Sequence, residues 1–203
     1  MLVVMGLLMT GVAYACWSQT IYAGGTVKSG DLDWEFTMAI TNDPGLPSVV
    51  PDYHCNDNFE GHYFWQGDKD VGYTTAVVKN PHTVQVTMNN VYPCYFVMVS
   101  LYAKNSGSVP LIIENVVIDG HVITETPTNE IIRLDLDEDG YADIEIWWGN
   151  SVGDQIEPGG YTNEMSFWFH VLQDAPQDRT LHFTISLTAV QWNGSTHWTP
   201  PDE

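Results

Sequence analysis

Glu164-Met165-Ser166-Phe167-Trp168-Phe169-His170-Val171 and Leu181-His182-Phe183-Thr184-Ile185-Ser186-Leu187-Thr188-Ala189 are the stretches whose alternation decides the fold class. In the first, Met165, Phe167, Phe169 and Val171 fall on one side, and Glu164, Ser166, Trp168 and His170 on the other. In the second, Leu181, Phe183, Ile185, Leu187 and Ala189 alternate with His182, Thr184, Ser186 and Thr188. Successive side chains point to opposite faces in a strand, so a period of two with one apolar face predicts half-buried β-strands.

The same period recurs along the chain. Trp34, Phe36, Met38 and Ile40 are expected on one face of an early strand, and Val84, Val86 and Met88 on one face of another. Tyr95 to Lys104 is apolar on both faces, as a central strand would be, and Val109 to Ile118 is β-branched, with Pro110 near its start where a missing N–H matters least. Gly, Asn, Asp and Pro punctuate these runs, and nothing reads as a long helix. At least seven strands without a splitting linker or repeat predict an all-β chain, a single sandwich of jelly-roll or Greek-key type over residues 26–203. Residues 43–70, rich in Pro, Gly, Asn and aromatics, read as a long irregular excursion from it.

Composition narrows the function. The 203 residues carry 26 Asp and Glu against 6 Lys and Arg, a net charge of −20. Such a surface repels phosphate backbones and anionic lipid, so neither nucleic acid nor a membrane surface is expected as a partner of the mature chain, whereas divalent cations are attracted. Eight Trp and ten Tyr argue for a packed core rather than disorder. The head reads as a signal peptide over residues 1–15: the apolar run Leu2–Val12 is too short to span a membrane and precedes the small-x-small pattern Ala13-Tyr14-Ala15. Acylation of Cys16 as a lipoprotein fits less well, because Ala13 and Tyr14 make a poor lipobox. An exported chain meets oxidising conditions, where Cys55 and Cys94 are the favoured pair and Cys16 sits at a terminus. Three free thiols are the alternative.

The sharpest motif is Asp135-Leu136-Asp137-Glu138-Asp139-Gly140-Tyr141-Ala142-Asp143. Carboxylates at positions 1, 3, 5 and 9, with Gly140 at 6 to allow a tight turn, have the ligand spacing of a calcium loop. Asp135, Asp137, Asp139 and Asp143, with the Tyr141 main-chain carbonyl, are the expected ligands of a structural Ca2+. Ile146 stands where an EF-hand has its Glu, and strand-like rather than helical residues flank the motif. It looks like the DxDxDGxxD loops of extracellular β-proteins, with Asp143 closing the site; a merely acidic turn is the competing reading. His54, Asp57, Glu60 and His62 could hold zinc or copper, but their spacing fits no strong pattern, and a structural loop is the better reading. With no HExxH and no nucleophile elbow, no enzyme is expected. Trp147-Trp148 and Phe167-Trp168-Phe169 could form a sugar-binding face, although packing is the commoner use. Asn193-Gly194-Ser195 matches a glycosylation sequon.

Several stretches, taken in order, resemble one family. They are the head ending near Ala15, Gly25-Thr26-Val27-Lys28-Ser29-Gly30-Asp31-Leu32-Asp33, Asn90-Val91-Tyr92-Pro93-Cys94-Tyr95, Lys104-Asn105-Ser106-Gly107-Ser108-Val109-Pro110, Ile156-Glu157-Pro158-Gly159-Gly160, His170-Val171-Leu172-Gln173 and Ala189-Val190-Gln191-Trp192-Asn193. The chain resembles the TasA/camelysin family of biofilm-fibre proteins, most of all its archaeal bundling-pilus branch. The resemblance implies a jelly-roll subunit of an extracellular, cell-surface filament that polymerises with itself, head to tail, by donor-strand complementation. Residues 16–25 would be the donor strand, with Cys16–Gly24 leaving its own domain. Trp17, Gln19, Ile21 and Ala23 would share one face, with Trp17 and Ile21 as anchors. The 43–70 excursion would serve lateral bundling, and Cys16 would crosslink subunits. A monomeric cell-surface or matrix module, binding glycans, is the alternative function.

Overall fold

The structure is a computed structural model that describes residues 28–45, 50–55, 64–123, 131–148, 151–176 and 179–196. The strands in chain order are β1 (Trp34–Thr41), β2 (Tyr53–Cys55), β3 (Phe64–Gln66), β4 (Tyr73–Asn80), β5 (Thr83–Asn89), β6 (Tyr95–Asn105), β7 (Leu111–Ile118), β8 (His121–Ile123), β9 (Ile132–Leu134), β10 (Ile144–Trp148), β11 (Gln155–Ile156), β12 (Met165–Val171) and β13 (Leu181–Gln191). They form two antiparallel sheets packed face to face, an all-β sandwich. One sheet runs β3-β2-β6-β12-β10-β9, with β1 also on β6, and the other runs β11-β7-β13-β5-β4, with β8 also on β7.

The alternating residues supply the core. Val84, Val86 and Met88 face it from β5, Phe167 and Phe169 from β12, and Phe183 and Ile185 from β13, all buried. Phe169 meets Phe183 across the two sheets with ring centroids 4.8 Å apart. Each such side chain removed from water stabilises the fold by about 1.5–3 kcal/mol. As its two-faced apolarity predicts, β6 is central: β12 pairs along one edge, and β1 and β2 share the other. Its Phe96 lies outside the core cluster, yet is buried and stacks on Trp168 at 5.3 Å.

Two expectations are corrected. Trp34 and Phe36 are buried, but Met38 and Ile40 are 43% and 45% exposed. A register shift in the β1–β6 ladder between Phe36 and Met38 is the cause. One extra residue, Thr37, reverses the facing of everything after it and turns Ala39 toward the core. Residues 43–70 are also not irregular throughout: β2 and β3 form a hairpin there, and β2 pairs with β6 through Tyr53–Phe96 and His54–Tyr95.

Three of the motif stretches meet at one end of the sandwich. Ser106 N and Gly107 N donate to Asp33 O, and Ser108 N donates to Asp31 O. A Cβ on Gly107 would lie 2.4 Å from Asp31 O, so only glycine permits this approach. The buried Asn105 ties in the third stretch, donating through Nδ2 to Ile156 O at 2.9 Å while its main chain bonds Gly159 and Gly160. The chain therefore enters the domain at a rigid point. Residues 1–27, with the signal peptide, Cys16 and the donor-strand residues Trp17, Gln19, Ile21 and Ala23, lie outside the described residues. Among the described residues no helix is long and apolar enough to cross a membrane.

Candidate metal centre

The acidic motif becomes the turn that joins β9 to β10. Ile144, Glu145 and Ile146 pair with Leu134, Arg133 and Ile132, so the two strands are neighbours and residues 135–143 must reverse the chain. Glu138 and Gly140 take left-handed backbone conformations, φ 62° and 94°, which a glycine adopts without penalty. Asp135 organises the tip: its Oδ1 accepts from Asp139 N at 3.2 Å and its Oδ2 from Gly140 N at 2.8 Å. Asp139 turns its own Oδ1 to Tyr141 N at 2.8 Å.

Asp143 differs from the rest of the turn. Its main chain belongs to the sheet, with N donating to Leu134 O at 2.7 Å and O accepting from Leu172 N at 2.8 Å. That fixes the carboxyl in a fully buried position. Its Oδ2 accepts from Leu136 N at 2.6 Å, and its Oδ1 has no hydrogen-bond partner. Burial pushes this carboxyl above the usual carboxylate range, and the charges of the nearby Asp137 and Asp135 add to the effect against the Leu136 and Asp137 amides. A buried polar atom left unsatisfied costs about 1–3 kcal/mol, and more when it bears charge.

Asp135, Asp137 and Asp143 each place an oxygen within 4.8 Å of the others. These three expected ligands are brought together. Asp139 is not part of the converging set; its carboxylate is turned to the Tyr141 amide instead. Among the described residues the ion pairs are Arg133–Glu145 at 2.8 Å and His170–Glu145 at 3.4 Å, so no basic side chain offsets the three carboxylates. The donor set is oxygen alone, which suits a hard divalent cation.

The other anticipated sites are less informative. Asp57, Glu60 and His62 lie outside the described residues, and His54 and Cys55 are placed by their backbone alone, on β2. Asn193 is exposed on a short 3-10 turn, Trp192–Gly194, while the Ser195 hydroxyl donates to Glu114 Oε2. Trp147 stacks on the buried His170 at 6.0 Å, and the Phe96–Trp168 stack lies beside them, so these aromatics are packed together.

Two constellations escaped the sequence reading. The register sets Glu145 opposite His170, and both are buried. Burial holds the imidazole below its usual range, partly offset by the Glu145 carboxylate, to which Arg133 donates through Nε and an NH2 group. A charged residue inside the apolar run Ile144-Glu145-Ile146-Trp147 was the available signal. The second constellation lies at the foot of the 43–70 excursion, where Asp43 and Asp52 are both buried. Asp43 Oδ2 accepts from Tyr95 Oη at 2.7 Å, while Asp52 accepts from Val71 N and from Gly72 N at 3.0 Å. Burial pushes the Asp43 carboxyl up to about 6, with Asp52 and Asp70 contributing and the Tyr95 hydroxyl opposing.

No protein-family model matches the chain, and neither a curated protein nor a solved structure matches it.

Proposed function

We propose that the chain is a structural subunit of an extracellular filament, built by head-to-tail addition of a strand from residues 16–25 of one copy to the next. The observation that carries this reading is a group of exposed apolar side chains on β1 and β4 of a strongly acidic chain. β1 and β4 run side by side, tied at one end by Phe36 N to Pro81 O at 2.7 Å and at the other by Thr74 N to Asp43 O at 2.9 Å. Ile40 on β1 and Val77 on β4 lie between these two ties. These two residues are 45% and 49% exposed, and Met38 and Tyr73 flank them, also exposed. Copies carrying a charge of −20 repel one another, so association favours a contact of this apolar kind.

Two further observations support the reading. The rigid entry at Asp31–Asp33 gives any preceding segment a fixed point of departure, as a strand that must reach a neighbour requires. A strand added head to tail does not close on itself and so propagates. Export is supported by the cysteines. Cys94 is disulfide-bonded, and the β2–β6 register, continued by one residue, puts Cys55 opposite it. We take Cys55–Cys94 as the pair, joining the 43–70 excursion to the central strand.

Electron microscopy of secreted protein, of a variant lacking residues 16–24 and of Ile40→Asp tests the proposal. Fibres from intact protein alone are expected, with Ile40→Asp impaired in association. Fibres from the truncated variant would exclude donor-strand assembly. A strictly monomeric intact protein would favour the surface-binding module instead.

A further inference from the structure

We infer that the β9–β10 turn holds one hard divalent cation, calcium in class, through Asp135, Asp137 and Asp143, and that this ion clasps the edge strand β9 to its sheet. The convergence of three carboxylates would not establish a site alone. The buried Asp143 supplies the independent observation: its Oδ1 has no hydrogen-bond partner, although the residue is fully removed from water and belongs to the converging set. The fold leaves this carboxylate oxygen unsatisfied at the point where the three carboxylates converge.

Chemistry selects the class of ion. Oxygen donors without His or Cys disfavour zinc and copper. An ion with bonds of about 2.4 Å bridges oxygens separated by up to twice that length, which accommodates the spacing here, whereas magnesium binds at about 2.0–2.1 Å and keeps its waters.

Position gives the ion its effect. Three register pairs hold β9 to β10, and among the described residues no strand pairs with its other edge. Asp143 is anchored to both β9 and the end of β12 through its main chain, while Asp135 and Asp137 sit on the part of the turn that leaves β9. An ion shared by the three therefore joins the edge side of the hairpin to the side held within the sheet. Without it, their mutual repulsion pulls β9 away. The Arg133 fork on the buried Glu145 depends on the same strand and should loosen with it. This inference stands whether or not the chain polymerises.

The test titrates chelator-treated protein with CaCl2 and, separately, MgCl2, reading calorimetric binding, melting temperature and amide exchange across residues 132–147. Calcium should bind with one-to-one stoichiometry, raise the melting temperature and slow exchange at the amides that pair β9 with β10. Asp137→Asn, at an exposed position, should weaken binding by roughly tenfold or more, because ligand charge sets affinity. Glu138→Gln, an exposed neighbour outside the converging set, should bind as the wild type does. Equal melting temperatures in calcium and chelator would overturn the site. Equal losses in Asp137→Asn and Glu138→Gln would reduce it to diffuse acidity, and an equal response to magnesium would overturn the calcium class. Binding without slower exchange in β9 would overturn the clasp.

Discussion

At the foot of the 43–70 excursion, Asp52 is buried with both oxygens close to main-chain amides of Val71 and Gly72, and Asp43 beside it receives the Tyr95 hydroxyl on Oδ2 but has no partner on Oδ1. At the β9–β10 turn, Asp143 is just as buried; its Oδ2 accepts from Leu136 N and the Asp137 amide lies near the carboxyl, but its Oδ1 has no hydrogen-bond partner. The residue type and the burial are the same; the supply of donors differs. Desolvating a carboxylate is costly, and a protein can offset it with its own N–H groups, with a proton or with a cation. Asp52 uses the first, Asp43 leans on the second, and Asp143 calls for the third.

The largest effect is expected where the protein's own donors do the stabilising. Asp52→Ala removes the acceptor for Val71 N and Gly72 N and strands the buried Gly72 donor. Charged hydrogen bonds and orphaned donors together set the loss at about 3–5 kcal/mol, read by urea unfolding under non-reducing conditions. A loss below about 1 kcal/mol would mean that the turn at Val71–Gly72 is held by other contacts, and the contrast with Asp143 would fail.

Asp43 gives the next effect, and its sign is diagnostic. Its folded carboxyl is raised from 3.8 to about 6, so between those values the folded chain holds a proton that the unfolded chain has lost. Stability from this group is therefore full below pH 3.8 and declines as pH rises through about 6. The shift corresponds to about 3 kcal/mol at most, since one unit is worth 1.36 kcal/mol. Asp43→Asn keeps an acceptor for Tyr95 and should abolish that part of the slope across pH 4–7, measured by denaturation at a series of pH values. Asp52→Asn should shift the Asp43 titration downward, because Asp52 is one of the charges that raise it. An unchanged slope in Asp43→Asn would place the proton elsewhere.

How far each site was legible follows from the distance between its parts along the chain. The turn could be read because its carboxylates and amide donors lie within residues 135–143. Even so, the even spacing of Asp135, Asp137 and Asp139 gave no reason to separate them, and only the folded turn directs Asp139 to the Tyr141 amide. Asp43 and Asp52 were opaque, since Tyr95 and Gly72 are brought to them by strand pairing across long separations. For the fold, alternation was reliable wherever the ladder is regular, as at Val84–Met88 and Met165–Val171. It failed at Met38 and Ile40 because a bulge is a backbone event without a compositional mark, and the same bulge leaves these apolar side chains exposed.

The smallest expected effect separates the two regions most cleanly. Asp137→Asn in chelator removes one of three converging charges from an exposed turn whose main-chain amides are held by the side chains of Asp135, Asp139 and Asp143. Its stability should change by no more than about 0.5 kcal/mol, and toward stabilisation, because repulsion is relieved. In calcium the same substitution should become destabilising relative to the wild type, because only the wild type gains from a bound ion. Reversal of sign between chelator and calcium, read as melting temperature in paired samples, is the signature of a carboxylate held for a cation. Loss of stability of the same size under both conditions would instead make Asp137 a packing residue like Asp52, and the two regions would then work in the same way.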